Sequence, residues 1–365
     1  MTPLTGVSAP TYSDAKAGVQ MAFNTINAAG GVNGQQLKFV AADDQSTPAG
    51  ALAAAQELVL HDHVSIVLAI TNVSVGAVGF LEQNDIPTLG PANGTTDWLD
   101  GKHPNFFDVQ GNEDPNAVAP GFGLYAKSQG ATTCGALGAS DLGAAILNIS
   151  VANVQSCVAA GLKAGPVIGD VPYGSADIGP AALQLQSAKV DAVYMTQQGS
   201  TATALIQRLT QLGVKLKASL IPTGYTETTL TNKATNAALQ GQGFSVQMVP
   251  IEADTPGAKA FKAALDAYGY VGPPSYSAEM GWMTGWELQA GLAKFGKPNP
   301  TKQQFITALR SVTNFDADGA LAPEKINFSV YNNKYSCLWM VQLKGDAFVS
   351  VPGSPFCGTA TRDVG

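Results

Sequence analysis

Charged side chains and long apolar runs are both scarce in this sequence. Only 13% of its residues are charged, with 20 Lys and Arg against 27 Asp and Glu, which leaves a formal net charge of -7. Nucleic acid and acidic membrane surfaces would repel such a chain, so neither is expected as a partner. The sequence holds no run of eighteen or more apolar residues, so we expect no helix that spans a bilayer.

The motifs of several enzyme classes are missing or incomplete. There is no GxSxG, which excludes an α/β-hydrolase elbow. Ser13 to Lys16 fits the SxxK motif of β-lactamases, but no KTG follows, and a helix cap is the ordinary explanation of Ser13. His61 and His63 form only a pair in a predicted turn, which indicates no metal site. We therefore predict that the protein is not an enzyme and needs neither a cofactor nor a metal.

The four cysteines predict two disulfides. Cys134 begins a predicted strand and Cys157 lies in the last turn of the helix that follows, and these two points of a βα unit return to the same end of the sheet. Cys337 and Cys357 flank the C-terminal strands and could join the tail to them. Metal binding is the competing interpretation, but the chain has no CxxC. Disulfides would indicate an oxidising, extracytoplasmic compartment.

The first 44 residues predict a helix followed by a strand. Val19, Ala22, Phe23 and Ile26 fall on one face of a helix, which Ser13 or Asp14 could cap. Glycines then end that helix, and the alternating segment 37–41 predicts a strand that leads to two aspartates. Beyond this unit, helices and strands alternate along the chain, which predicts an α/β fold with mostly parallel sheets. Because 365 residues exceed one ordinary core, we expect two domains.

This opening string also resembles a known family. The segments PLTG at 3–6, INAAGGVNG at 26–34 and the pair Asp43-Asp44 are similar to those of branched-chain amino-acid (Leu/Ile/Val) periplasmic solute-binding proteins of ABC transporters. The resemblance implies the type I periplasmic binding protein fold: two Rossmann-like domains, a three-segment hinge and a ligand cleft between the domains. It places residues 1–116 and 252–322 in an N-terminal lobe, and residues 117–251 and 323–365 in a C-terminal lobe. It also implies a membrane permease as partner, and we expect a monomer.

The chain starts without the basic and apolar regions of a secretion signal. We expect such a signal, with a lipoprotein signal as one option, to have been removed ahead of Met1. The protein would then work as a periplasmic protein or a cell-surface lipoprotein.

Three loops of the first domain are rich in hydroxyl and amide groups: 5–12, 71–74 and 92–96. Such groups can hold a carboxylate without lysine or arginine. The alternative is that they are only capped turns, since Ser, Thr and Asn favour such positions anywhere. The resemblance assigns ligand contacts to five residues, with the alignment open by one position: Asn72, Ser74, Asn93, Gly94 and Thr95.

The second domain departs from the amino-acid binders. They place an aromatic residue before a glycine after its first strand, where this chain has Leu142. They also hold the ligand ammonium with an acidic residue near 224–226, and Glu227 is out of register with that position. Gln197 and Gln198 offer only neutral amides to a ligand. A carboxylate with a neutral aromatic or aliphatic body is therefore at least as well suited as an amino acid.

Aromatic side chains complete the predicted site. Tyr12, Tyr225 and Tyr276 are predicted as its apolar walls, although an aromatic and methionine stripe such as Tyr276, Met280 and Met283 is more often part of a core. We therefore expect extracytoplasmic capture of a small carboxylate-bearing solute for an ABC importer. The alternative is a ligand-sensing receptor or regulator with the same two-lobed architecture.

Overall fold

The computed structural model describes residues 1–93, 95–110, 117–142, 144–333 and 337–362. The chain divides into two compact units. Unit 1 comprises Met1–Glu113, Lys259–Tyr270 and Tyr276–Tyr335, and unit 2 comprises Asp114–Ala258, Val271–Ser275 and Ser336–Gly365. The lobe boundaries inferred from the sequence stay a prediction beside this division.

The first part of unit 1 alternates helices with short parallel strands. Its elements are α1 (Ala9–Tyr12), α2 (Ala15–Ala28), α3 (Pro48–Gln56), β1 (Val67–Leu68), α4 (Val78–Gln83), β2 (Thr88–Gly90) and β3 (Phe106–Asp108). The three strands form one parallel sheet in the order β1-β2-β3. The apolar stripe of α2 is buried as predicted, because Val19, Ala22, Phe23 and Ile26 all face the core.

Unit 2 contains a larger parallel sheet. Its elements up to residue 246 are β4 (Ala117–Val118), α5 (Gly121–Ser128), β5 (Thr133–Leu137), α6 (Ala144–Ala159), β6 (Lys163–Ile168), α7 (Gly179–Ser187), β7 (Ala192–Met195), α8 (Gly199–Gln211), β8 (Ala218–Leu220), α9 (Glu227–Thr231), α10 (Lys233–Ala238) and β9 (Gly243–Val246). The parallel strands lie in the order β6-β5-β7-β8. The alternation of helices with parallel strands in both units confirms the predicted α/β fold class.

The last third of the chain supplies three helices and then antiparallel strands. These elements are α11 (Pro256–Tyr268), α12 (Tyr276–Phe295), α13 (Lys302–Arg310), β10 (Cys337–Lys344), β11 (Ala347–Ser350), β12 (Phe356–Cys357) and β13 (Thr361–Arg362). Strand β10 pairs antiparallel with β9, β11 and β12, while β13 pairs with β4. A turn at Gly345-Asp346 joins β10 to β11, as the Gly-Asp pair between two apolar segments predicts.

Helices α2 and α12 pack closely in unit 1 because both present glycine at the contact. A Cβ atom on Gly18 would meet the carbonyl oxygen of Ala278, and one on Gly281 would meet the carbonyl oxygen of Ala15. Only hydrogen side chains allow the two backbones to approach this far. The contact fixes α12, and with it Tyr276 at its first residue, against the rest of unit 1.

Two expectations for the N-terminal segment are wrong. Residues 37–41 form no strand, and the backbone there is extended, with a single parallel bridge from Thr2 to Asp43 at its end. A strand needs a neighbouring ladder, and Met1 and Thr2 reach only the C-terminal end of this segment. Asp14 occupies the cap position of α2 without a capping side-chain bond, and its Oδ2 instead accepts a hydrogen bond from the hydroxyl of Tyr270.

The four cysteines form the two predicted disulfides, Cys134–Cys157 and Cys337–Cys357. Both lie within unit 2. Across the described ranges, no helix combines the length and the apolar character needed to cross a membrane.

Candidate functional site

The loops that follow β1 and β2 bring polar side chains together at one edge of the unit 1 sheet. Because these strands are parallel, their carboxyl ends meet at the same edge. Asn72 donates from Nδ2 to the Oγ of Ser8 at 3.0 Å, which joins the loop after β1 to the loop before α1. The hydroxyl oxygens of Ser74 and Thr95 lie 3.4 Å apart, which joins the loops after β1 and β2. We call Ser8, Asn72, Ser74, Asn93 and Thr95 the polar cluster.

Asn93 is held at the base of this cluster. Its Nδ2 donates to the carbonyl oxygen of Thr71 at 2.9 Å, and its Oδ1 accepts from the hydroxyl of Tyr276 at 2.7 Å. Its backbone has a φ of 46°, a left-handed conformation that asparagine adopts more readily than most residues. Asp108, at the end of β3, accepts a hydrogen bond from the backbone N–H of Ala92 at 3.0 Å and so fixes the same loop.

Two tyrosines from different elements lie beside the polar cluster. The rings of Tyr12 and Tyr276 meet edge to face, with their centroids 5.8 Å apart. Tyr276 is half-buried, whereas Met280 and Met283 further along α12 are fully buried. Beyond the first turn of α12, the aromatic and methionine stripe therefore belongs to the core. Of the three stripe residues named, Tyr276 is the one that adjoins the polar cluster.

One acceptor of the cluster is unsatisfied. The Oδ1 of Asn72 is buried and has no hydrogen-bond partner in the described part of the chain. Burying an acceptor without a partner costs about 1–3 kcal/mol, so such groups call for an explanation. A ligand donor would supply the missing bond.

At the corresponding edge of the unit 2 sheet, polar side chains hold loops together. Gln197 follows β7 and is 1% exposed. Its Nε2 donates to the carbonyl oxygens of Gly138 and Val171 at 2.9 and 3.0 Å, and its Oε1 accepts from the N–H of Gly174 at 3.2 Å. All its hydrogen-bonding positions but one are thus committed to the loops after β5 and β6.

The other predicted residues of unit 2 have separate surroundings. Leu142 is half-buried at the end of a short turn of helix. Gln198 is the residue directly before α8, and its side chain lies beside Gly174. Tyr225 lies in the core, where its ring packs 4.7 Å from that of Phe348 and its hydroxyl donates to the carboxylate of Glu252. Its ring therefore contacts the interior of unit 2. Gly94 lies outside the described residues.

Three residues near these loops were not singled out from the sequence. Ser8 and Asp108 position the unit 1 loops, and the carboxylate of Asp141 accepts from the backbone N–H of Tyr173, at 3.1 Å to each oxygen. The sequence could have indicated Asp108, because an aspartate at the end of an apolar strand is a recognisable pattern. For Ser8 the sequence offered no signal beyond its position in a polar loop.

The fold and these strand-edge loops define a two-unit α/β binding protein, and comparison with known proteins agrees. The model of the periplasmic binding protein family matches residues 1–347, so the chain belongs to that family. A Leu/Ile/Val-binding protein homolog 2 from Brucella abortus is 29% identical over 121 residues, which is 33% of this chain and 32% of that protein. The match thus spans about a third of that curated relative. The predicted resemblance and the absence of enzymatic function are confirmed at the level of the family.

Two solved structures share the fold over nearly the whole chain. A solute-binding protein of an ABC transporter from R. palustris, in complex with benzoate, has a TM-score of 0.77 and 19% identity, and the match covers 99% of this chain and 96% of that one. A leucine-binding protein from Thermotoga maritima has a TM-score of 0.75 and 18% identity, with 96% and 95% covered. At these identities the likeness establishes the fold alone.

Proposed function

We propose that this protein captures a small carboxylate-bearing solute outside the cytoplasm and delivers it to the membrane permease of an ABC importer. The observation that carries the proposal is the polar cluster of unit 1, in which the hydroxyls of Ser74 and Thr95 meet at the carboxyl ends of two parallel strands. Both hydroxyls can turn their protons toward a carboxylate oxygen. The solved relatives named above, one with benzoate and one that binds leucine, support this class of ligand.

The ligand we favour has a neutral aromatic or aliphatic body. Tyr12 and Tyr276 provide aromatic surface next to the polar cluster. In unit 2, Gln197 and Tyr225 are neutral side chains whose polar atoms already bond within the unit, so neither offers an anionic partner to a ligand ammonium. An ammonium without an anionic partner would be costly to bury.

A hydrophobic amino acid is the second candidate, and one observation favours it. The unpaired Oδ1 of Asn72 is an acceptor, and a ligand ammonium would be a suitable donor for it.

Paired ligands separate the two candidates. Leucine and 4-methylpentanoate differ only in the ammonium group, as do phenylalanine and 3-phenylpropanoate. Calorimetric titration should show that the two acids bind at least as tightly as their amino-acid partners. Tight binding of the amino acids alone would refute the neutral-body preference, and Asn72→Leu should then weaken their binding.

Variants of the polar cluster test the carboxylate contact itself. Ser74→Ala and Thr95→Val should each weaken an acid ligand about tenfold, because each removes a hydroxyl donor to a charged oxygen. Thr96→Val is the matched control, since Thr96 is an exposed neighbour in the same loop. Equal affinity in all three variants would exclude the polar cluster as the anchor.

A further inference from the structure

The loop before α1 carries a buried hydroxyl group with an unused proton. Ser8 is 1% exposed and directly precedes α1, but its side chain does not cap that helix. Its Oγ instead accepts a hydrogen bond from the Nδ2 of Asn72 at 3.0 Å. A hydroxyl group can accept and donate at once, and the hydroxyl of Ser8 donates to no acceptor among the residues that the structure describes. Its proton is therefore available to a ligand.

The side-chain amide of Asn72 presents the complementary atom. Its Nδ2 is committed to Ser8, and its Oδ1 is buried without a hydrogen-bond partner in the described ranges. Buried polar groups in native proteins are nearly always paired, so an unused donor next to an unused acceptor calls for a common explanation. We call these two side chains the Ser8–Asn72 pair. The pair offers one proton and one lone-pair site, and it carries no charge.

The backbone of Ser8 is held in place by the loop before α3. The Oγ of Ser46 donates to the carbonyl oxygen of Thr5 at 2.8 Å and accepts from the N–H of Ser8 at 3.0 Å. Ser46 has a φ of 58°, a left-handed conformation that is uncommon for serine and that clusters at functional sites. The carboxylate of Asp43 accepts from the N–H of Leu4 at 2.8 Å and from the hydroxyl of Thr5 at 2.6 Å. A ligand therefore meets the Ser8–Asn72 pair without having to order this loop first.

The two unused atoms select the chemistry of the group that binds them. A carboxylate only accepts hydrogen bonds and an ammonium only donates them, so each would leave one atom of the Ser8–Asn72 pair unpaired. A hydroxyl group accepts the proton of Ser8 and donates its own proton to the Oδ1 of Asn72. Because the Nδ2 of Asn72 already contacts the Oγ of Ser8, one oxygen atom can lie about 2.8 Å from both unused atoms. A neutral hydroxyl also needs no anionic partner when it is buried.

We propose that the Ser8–Asn72 pair is a subsite for a hydroxyl group of the ligand, and that the captured solute is a hydroxy acid with an aromatic or aliphatic body. The carboxylate of this solute is the group that the proposed function assigns to Ser74 and Thr95, so the subsite depends on that function. Asn72 and Ser74 lie in the same loop after β1, and Ser74 meets Thr95 there. The hydroxyl therefore belongs on a carbon close to the carboxylate.

Calorimetric titration with 4-methylpentanoate and its 2-hydroxy and 3-hydroxy derivatives, as separate enantiomers, tests the subsite. At least one hydroxy acid should bind about tenfold more tightly than the parent acid, because it adds two hydrogen bonds. Ser8→Ala and Asn72→Leu should each bring that affinity ratio close to one, and Ser8→Thr, which keeps the hydroxyl, should retain it. Ser65→Ala is the matched control, since Ser65 is an exposed serine of unit 1, and it should leave the ratio unchanged. The ratio compares two ligands in the same variant, so a loss of folded protein does not alter it.

Equal affinities of the wild-type protein for the parent acid and its hydroxy derivatives would overturn the subsite, while binding of all of them would leave the proposed function intact. If none of the acids binds, the proposed function is wrong and the subsite falls with it. A hydroxy-acid preference that survives in both Ser8→Ala and Asn72→Leu would also overturn the subsite, because the hydroxyl would then be bound elsewhere. So would leucine binding more tightly than every hydroxy acid, since an ammonium cannot accept the proton of Ser8.

Discussion

The two units use polar side chains differently at the carboxyl ends of their parallel strands. In unit 2, the buried side chain of Gln197 bonds to the loops after β5 and β6. In unit 1, the hydroxyls of Ser74 and Thr95 have only each other as side-chain partner within the described residues, 3.4 Å apart, and the Oδ1 of Asn72 has no partner there. The side-chain amide of Gln197 has at most one hydrogen-bonding position left for a ligand, whereas the unit 1 groups keep more bonding capacity. The difference indicates that unit 1 supplies the polar contacts of the proposed site.

The units also differ in what stabilises them. Both disulfides lie in unit 2, whereas unit 1 depends on the close packing of α2 against α12 through Gly18 and Gly281. The stability of unit 1 should therefore be sensitive to single methyl groups added at that contact. The stability of unit 2 should be sensitive to reduction of its disulfides.

The largest effect is expected at the helix contact of unit 1. Gly18→Val should lower the free energy of unfolding by about 3 kcal/mol or more, because its side chain would overlap the backbone of Ala278 and Gly281. Denaturant unfolding measures the loss. Gly79→Ala is the control, since Gly79 lies in helix α4 with open space around it, and it should be neutral or slightly stabilising. Similar losses in both variants would show that the close contact has no special role.

Removing the first disulfide is the matching test in unit 2. Cys134 and Cys157 are 23 residues apart, and a crosslink over such a loop stabilises by about 3 kcal/mol. Replacing both with alanine should lower the denaturation midpoint by a corresponding amount and speed amide exchange in β5 and α6. If dithiothreitol leaves the denaturation midpoint of the native protein unchanged, the inference that unit 2 depends on its disulfides is wrong.

The third test concerns the loops of unit 2. Gln197→Ala would leave two carbonyl oxygens and one N–H without their partner, which should cost about 2 kcal/mol. Gln207→Ala, on the exposed face of α8, should change stability by less than about 0.5 kcal/mol. A Gln197 variant as stable as this control would mean that the buried amide does not hold the loops.

The sequence predicted most of this fold because the relevant signals were local. A proline that suits a first helical turn and an apolar pattern that follows it predict a helix from Pro256 to Tyr268, and α11 has these bounds. The sequence predicts no strand at 163–168, because Gly165 and Pro166 are typical of turns, but pairing with β5 overrides that preference and makes this segment β6. At 37–41 the error is the opposite one: a strand was predicted and none forms, because alternating apolar residues alone cannot supply the neighbouring strand.

The site was less predictable because it depends on contacts between distant loops. Loop composition indicated Asn72, Ser74, Asn93 and Thr95, and the structure places their loops together. Composition could not indicate that Gln197 and Tyr225 are buried, because both look like ligand contacts until the surrounding loops are folded. The residue-level assignments remain proposals for the ligand titrations to test.

The last test concerns the pH dependence of a buried carboxyl in unit 1. Burial raises the pKa of Glu287 on α12 well above its usual value, and nearby Asp108 raises it further, while the amide of Gly90 and the guanidinium of Arg310 act in the opposite direction. The folded form therefore keeps a proton that the unfolded chain releases above a pH near 4.5. This stabilisation is fully present below that pH and is lost as pH rises toward the folded-state pKa. Glu287→Gln should flatten the decline in unit 1 stability above pH 5, measured by denaturation, whereas Glu57→Gln at the surface should not. A wild-type curve as flat as that of Glu287→Gln would mean that the carboxyl of Glu287 is not held neutral in the folded protein.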